Sequence, residues 1–431
     1  METTMSLPAS WSRGSLIGFR FFFVYFIFYI FPFPLSPLTE ILTVFQPVTE
    51  LSNKIYEPLA KHIMGTEYEL PTPNGSGDTV LNYIQFFVFL IFSVAVTITW
   101  SFVDRKRDNY EKLLQWLLIL LRYYLAFFMI GYGFAKVIRM QFPSLTTDRL
   151  LQTYGESSPM GLLWTFMGYS TVYNIFTGLG EVIGGAFLLF KRTRLIGALV
   201  VIAIMSNVVM LNFTYDVPVK LFSTHLLLMA IFLTVPDIKR LSSLFFFNRA
   251  IAPEANVPLP FHNGIKANWY YPTMKWSAIV LIFAVNALLF YKGSQQQEVF
   301  DENQKRYGPV VGEFEVETFI LNGNVIPPGE LDTRRWRKIL LKQRTVDIQY
   351  MDGGSGPWHC NREATGSKMI LHSLDLWSTG IFSINANGEI LTLKGNLNQD
   401  SLKINLRKVG ENQFLLVNRG FNWVNEYPLN R

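Results

Sequence analysis

The sequence predicts an α-helical polytopic membrane protein of about seven transmembrane helices, followed by an antiparallel β domain of barrel or sandwich type. Three observations carry this. Charged residues make up only 16% of the 431 residues, against roughly a quarter in soluble proteins, and the apolar residues fall in long runs. The basic residues gather in short stretches between those runs, which is how membrane topology is encoded. From about Gln295 onward the apolar spacing changes to the two-residue alternation of strands.

Runs long enough to cross about 30 Å of hydrocarbon lie near 14–34, 80–102, 114–138, 171–190, 195–213, 218–235 and 273–291. The first resembles a signal peptide, with Arg13 and Arg20 ahead of Phe21 to Phe31. Its apolar part is too long, however, and Phe31-Pro-Phe-Pro-Leu35 ends it without a small-residue cleavage site, so a retained helix is expected. Arg105-Lys-Arg107, Lys191-Arg-Thr-Arg194 and Lys239-Arg240 all fall on one side of a seven-span chain, together with the N-terminus. The positive-inside bias makes that side cytoplasmic, which places everything after residue 291 outside. The expected divisions are two spans over 1–112, a four-helix stretch over 113–238, a loop and last span over 239–294, and the β domain over 295–431.

The connections are also legible. Residues 38–62 carry Ile41, Phe45, Val48, Ile55 and Leu59 at helical spacing between charges, the pattern of an amphipathic helix at the outer membrane surface. Pro71 to Asp78 reads as a turn, and Asn248 to Pro272 as a cytoplasmic loop. In the tail, Phe314, Val316, Thr318 and Ile320 alternate with glutamates, and Val346, Ile348 and Tyr350 repeat the pattern. Ile381–Ile384 and Ile390–Leu393 flank Asn385-Ala-Asn-Gly388, a hairpin signal. Leu402, Ile404 and Leu406 follow, then Phe414 to Val417. The closing Arg419 to Arg431, dense in aromatics, is expected either to close the sheet or to dock on the membrane part.

Composition excludes several functions. The net charge of +6 needs no nucleic acid, because no basic segment interleaves aromatics as single-strand binding requires. Cys360 is the only cysteine, so neither an intrachain disulfide nor a thiolate metal cluster is available. A bis-histidine haem within the bundle is excluded because His225 is the only histidine in a span. Gly178-x-Gly180 with Gly184 lacks the spacing and the preceding strand of a dinucleotide fingerprint. His359, Cys360 and His372 form only a weak metal pattern, and no metal site is expected.

Glu181 is the most informative residue. It lies in the apolar run from Val172 to Phe190, where a charge costs at least ~2.5 kcal/mol. Thr177, Gly178, Gly184 and Gly185 lie three or four positions away and share its helical face, so that face can press closely on another helix. The other embedded polar residues are Arg122, Lys136, Asn207, Asn212, Asp216, Lys220 and His225. Arg122 and Lys136 either snorkel to opposite surfaces or hold a ligand, with Lys136 turned inward toward Glu181 or an anionic headgroup. Asp216 is read as a cap of the helix after Pro218, with Lys220 one turn inside and able to pair with it. Asn207 is expected to bond between helices. His225 is either a packing histidine or a neutral imidazole exchanging protons, and with Glu181 it forms the candidate catalytic pair. Arg122, Lys136, Asn212, Asp216 and Lys220 are the candidate ligand-binding residues.

Arg122-Tyr-Tyr-Leu-Ala-Phe-Phe-Met-Ile-Gly-Tyr-Gly-Phe-Ala-Lys136 resembles the first helix of the DoxX-like family, with its leading arginine and its Gly-x-x-Lys end. Gly178 to Lys191 resembles that family's second helix, glycine-rich with an embedded glutamate and followed by a basic turn. The resemblance covers about 113–238 and implies a four-helix membrane core in a family linked to membrane redox work such as thiosulfate:quinone oxidoreduction. It makes a quinone the one cofactor to expect. The two leading spans, the seventh span and the β domain are departures from the family pattern. Three functions follow as alternatives. The first is quinone-linked or envelope redox work in the cytoplasmic membrane, and the second a non-enzymatic scaffold whose β domain binds an envelope protein partner. The third, a small-molecule or lipid transporter, is weakened by the absence of inverted repeats.

Overall fold

A computed structural model describes residues 10–31, 57–59, 61–63, 76–146, 149–150, 152, 154–250, 267–307, 310–329, 333–342, 345–362, 367–373, 378–410 and 414–418. The amphipathic helix expected over 38–62, most of the 71–78 turn and the segment 419–431 lie largely or wholly outside these residues. The chain divides into two compact units. One comprises residues 1–143 and 166–293, and the other residues 144–165 and 294–431.

The helices are α1 (Arg13–Ile30), α2 (Val80–Val103), α3 (Glu111–Val137), α4 (Pro159–Tyr169), α5 (Thr171–Leu188), α6 (Arg194–Thr214), α7 (Lys220–Thr234), α8 (Ile238–Phe245) and α9 (Ala267–Tyr307). Side chains at the boundaries start several of them. Ser12 caps α1, Ser170 caps α5, and Thr79 forms a reciprocal capping box with Asn82 at α2.

Among the described residues six helices, not the expected seven, are long and apolar enough to cross a membrane. The one that falls short is α5, where Asn174, Glu181 and the glycines dilute the apolar content. It forms nonetheless, because its neighbours bury the diluting residues. The last span also differs from expectation. Its helix starts at Ala267, runs through Pro272 and continues to Tyr307, taking in part of the expected loop and the start of the expected β domain. Residues 295–307 are rich in Gln and Glu and include Lys305 and Arg306, good helix formers that extend the helix after the apolar run ends.

Contacts fix the relative directions of the helices. Gly133 of α3 meets Gly178 and Val182 of α5, while Gly185 meets Ala126, Met129 and Ile130, so α3 and α5 are antiparallel. Gly184 meets Val200 and Val201 of α6, and Gly197 meets Phe187 and Leu188, giving an α5–α6 hairpin. The packed centre is supplied by Leu117, Leu121, Leu125 and Met129 of α3 with Phe26, Leu188, Val201 and Met229. The outside is apolar too. Ile91, Ile98 and Phe102 of α2 and Val172, Phe176, Leu179 and Ile183 of α5 are exposed. Those α5 residues recur at intervals of four, three and four, which is one helical face. A helix with its polar and small face inward and its apolar face outward suits lipid rather than water.

In the second unit, strands β1 (Gly312–Leu321), β2 (Asn324–Val325), β3 (Trp336–Leu341), β4 (Thr345–Tyr350), β5 (Ser355–Arg362), β6 (Lys368–Ser373), β7 (Thr379–Asn387), β8 (Ile390–Leu397) and β9 (Asp400–Lys408) form one antiparallel sheet. β1 pairs with both β3 and β9, so eight strands close into an up-and-down barrel, with β2 appended to β1. Side chains fill the interior, as is usual for eight strands. Phe314, Phe319, Trp336, Phe382, Leu341, Ile404 and Leu406 are buried there.

Two readings of the tail are corrected. A bulge between Val316 and Thr318 slips the register of β1 by one residue, and such a slip exchanges the faces. Phe314 and Phe319 therefore point inward, and the expected inward run through Thr318 and Ile320 breaks off. Phe414–Val417 is not a strand, because Leu415–Asn418 is a single helical turn and β9 already closes the sheet on β1. The β7–β8 hairpin forms as expected, and its turn is tight. Asn387 faces Ile390, and Gly388 takes φ +63° between them, the left-handed conformation that favours glycine.

Candidate functional site

Glu181 and Lys136 meet. Lys136 Nζ donates to Glu181 Oε1 at 2.6 Å, and both side chains are buried. The glycines make this possible, since a Cβ at Gly178 would lie 2.6 Å from the Gly133 carbonyl and 2.9 Å from Lys136 Cβ. Backbones that close leave a lysine on one helix within direct reach of a glutamate on the next. The small-residue face thus presses on α3 through Gly178 and Gly185, whereas Gly184 turns to α6. Glu181 Oε2 accepts no hydrogen bond among the described residues.

His225 lies elsewhere, in an aromatic setting. Its Nδ1 is 2.6 Å from the Leu221 carbonyl, which can only accept, so Nδ1 carries the hydrogen. In the neutral ring Nε2 then accepts from the Tyr25 hydroxyl at 2.5 Å. Tyr29 stacks on the imidazole at 3.9 Å between ring centroids and 6° between planes, and Phe86 meets it edge-on. His225, Tyr29 and Phe86 border a cavity of about 500 Å³ walled by α1, α2, α3 and α7. Its apolar walls include Phe86, Phe89, Tyr124, Phe128 and Phe222, and Asn82, Gln85 and Ser76 add polar groups. The cavity sits at the end of the bundle where α1 and α3 finish and α2 and α7 begin. Tyr132 lines it, and the next residue, Gly133, touches α5. The cavity and the ion pair therefore flank α3 on different faces, and Glu181 and His225 do not form one site.

The other candidates separate further. Asn212 Nδ2 donates to Ser223 Oγ at 3.0 Å, linking α6 to α7. Asn207, expected in that role, is exposed on α6, and its side chain makes no hydrogen bond among the described residues. Asp216 does not cap α7. Asp78 does, its two carboxylate oxygens accepting from the backbone N–H groups of Lys220 and Leu221 at 2.7 and 2.9 Å. Asp216 stands out in solvent and pairs with Lys220 Nζ at 2.8 Å. Arg122 is buried near the middle of α3, fourteen residues from Lys136. In the barrel, His359 and His372 are cross-strand partners, while Cys360 points into the interior. Adjacent residues of a strand face opposite ways, so these three cannot share a metal ion. Burial pushes the Cys360 thiol pKa up.

No family model matches this chain, and no solved structure matches it. A stretch of 124 residues is 36% identical to "Uncharacterized protein YwoB" of Bacillus subtilis (strain 168). That stretch covers 29% of this chain and 79% of the relative. The chain belongs to the YwoB family. Most of this YwoB-family chain lies outside the matched stretch, so the likeness concerns one part of it.

Several residues that build these sites escape sequence reasoning. Asp78 caps a helix more than a hundred residues away, and no local pattern reports such a partner. Arg20, read as part of a basic leader, is buried and donates to Tyr110 Oη, Ser101 Oγ and the Asp104 carbonyl, each at 2.9 Å. Asp237 joins Arg194 to Arg240 across the α6–α8 end of the bundle. Tyr25 and Tyr29 did leave a signal. They are four residues apart on one face of α1, the spacing at which both can meet the same imidazole.

Proposed function

We propose that this YwoB-family chain is a multi-pass cytoplasmic-membrane protein with a DoxX-like core, engaged in quinone-linked or envelope redox work, and that the cavity beside His225 holds the quinone ring. The observation that supports this is the cavity itself, about 500 Å³ of largely aromatic wall with a few polar groups. Its size lies in the range of small-molecule sites, roughly 300–1,000 Å³. A quinone is a flat apolar ring with two carbonyl acceptors, so aromatic walls and a few donors such as Asn82 and Gln85 suit it. When bound, it would supply two-electron, two-proton redox chemistry. His225 and Tyr25 share a hydrogen bond that lets a proton move between them without either side chain turning. Lys136, paired with Glu181, has a structural role in this reading and does not hold a headgroup.

The test is direct. Purified protein should release a quinone on solvent extraction, and a short-chain quinone should quench its intrinsic fluorescence in a saturable way. Substituting Tyr29 by Ala should weaken that quenching. Absence of bound quinone together with linear, non-saturable quenching would sink the proposal.

The orientation belongs to the same reading. With α5 counted as a span, because of its outward apolar face, the basic turns share the cytoplasmic side with the N-terminus, and the barrel is extracytoplasmic. Reporter fusions that place residue 300 or later in the cytoplasm would refute it. A second reading, the membrane-anchored scaffold, is favoured by the filled interior of the barrel, which leaves the outer surface to meet an envelope partner. It predicts that Glu181→Gln preserves cellular function and that deleting 295–431 abolishes it.

A further inference from the structure

Arg122 carries a buried charge that no carboxylate among the described residues neutralises. The residue is 4% exposed, and its Nε has no hydrogen-bond partner among the described residues. Its nearest ring contact is its own chain neighbour Tyr123, at 5.1 Å. A guanidinium stays protonated in proteins, so burial does not remove the charge.

Its position follows from the helix contacts. Arg122, Ala126, Met129 and Gly133 are spaced four, three and four residues apart, which is one face of α3. The last three meet α5 at Gly185 and Gly178. Continuing that antiparallel contact one turn beyond Ala126 brings Arg122 to the end of α5 and the turn that follows, Lys191–Thr193. That turn presents Lys191 and Arg192 to solvent, and Lys275 Nζ lies 4.7 Å from the ring of Phe190 beside it. The nearby carboxylate, Asp237, is engaged by Arg194 and Arg240. Nor does Arg122 cap the helix: Thr193 Oγ1 takes the Phe187 carbonyl at 2.7 Å.

We infer that Arg122 is the floor of a binding site for a phosphate-bearing anion, with Lys191, Arg192 and Lys275 at its rim. The planar fork of a guanidinium matches two phosphate oxygens at once, and the rim cations favour an anion over a neutral ligand. The site lies at the basic end of the bundle, away from the aromatic cavity, and does not depend on what that cavity binds. The phosphate can belong to an anionic phospholipid headgroup or to a free phosphate compound.

Thermal unfolding of the purified full chain in neutral detergent, followed by intrinsic fluorescence, distinguishes these sources. Phosphatidylglycerol, phosphatidylcholine and inorganic phosphate are added separately. Phosphatidylglycerol should raise the midpoint and phosphatidylcholine should not. A matching rise with inorganic phosphate identifies a free anion, whereas a rise with phosphatidylglycerol alone identifies the lipid. Arg122→Gln should lose that rise. Should Arg122→Gln fail to fold, the double variant Lys191→Gln/Arg192→Gln, altered only at exposed positions, should show a reduced rise. An equal response of the unaltered protein to all three additives overturns the inference. So does a full response in Arg122→Gln, or in the double variant where Arg122→Gln does not fold.

Discussion

Replacing Gly178 by alanine tests how the α3–α5 contact holds the buried pair. The added Cβ would stand 2.6 Å from the Gly133 carbonyl, where ordinary contact begins near 3.4 Å. The difference, 3.4 minus 2.6, requires the two backbones to part by about 0.8 Å. Neither obstacle can swing aside, since one is a backbone carbonyl and the other is Lys136 Cβ. Overpacking of this kind costs ~1–3 kcal/mol, offset by the gain of about 1 kcal/mol in helix propensity when alanine replaces glycine. The net loss is therefore about 0–2 kcal/mol, or at most a few degrees at ~2–4 °C per kcal/mol. Gly18→Ala is the control, because a Cβ there meets nothing within 4 Å and only the propensity gain of up to ~1 kcal/mol remains. Thermal unfolding followed by intrinsic fluorescence compares the two. If Gly178→Ala melts as high as Gly18→Ala, glycine closeness does not hold α3 on α5.

Three other outcomes are expected. Lys136→Met alone, or Glu181→Met alone, should destabilise the bundle by about 3–5 kcal/mol, because each leaves a buried charge uncompensated, whereas the double replacement should recover most of the loss; a double-mutant cycle in urea reads the coupling. Asp78→Ala should cost ~1–2 kcal/mol through two lost cap bonds while Asp216→Ala stays within about 0.5 kcal/mol, and equal losses in unfolding experiments would contradict the assignment of the cap. Cys360 should resist maleimide in the native protein and react once it is unfolded. Because burial raises its pKa, the folded chain holds the thiol proton more tightly than the unfolded chain does. That contribution to stability is complete below the ordinary value of 9.0 and is lost as pH climbs above it. Urea midpoints measured across that range should fall more steeply for the unaltered protein than for Cys360→Ala.

The legibility of individual residues followed the range of the forces on them. The face of Thr177, Gly178, Gly184 and Gly185 could be read in advance because helical spacing is local, and so could the β7–β8 turn at Gly388. Strand β1 was read with the right period and the wrong inward set beyond Val316, since a bulge is fixed by the partner strands. Strand β5 gave no alternation at all, as its Gly356 and Pro357 obscure the pattern. Lys136 and Glu181 were visible as separate charges, and their pairing was one option among several. His225 was visible, but its cavity is walled from four helices and needs Tyr29, Phe86 and Phe222 to converge.

By itself the sequence determined that long apolar helices come first and an antiparallel β domain follows, because hydrophobic run length and the two-residue strand period are properties of a single segment. It also determined that Glu181 must face protein, since small residues share its side of the helix and large apolar ones occupy the other. Only the tertiary structure decided which cation answers that carboxylate, which aspartate caps α7 and that no carboxylate among the described residues answers Arg122. Each of those depends on two segments far apart in the chain reaching a separation of a few ångströms, and no segment carries that distance alone.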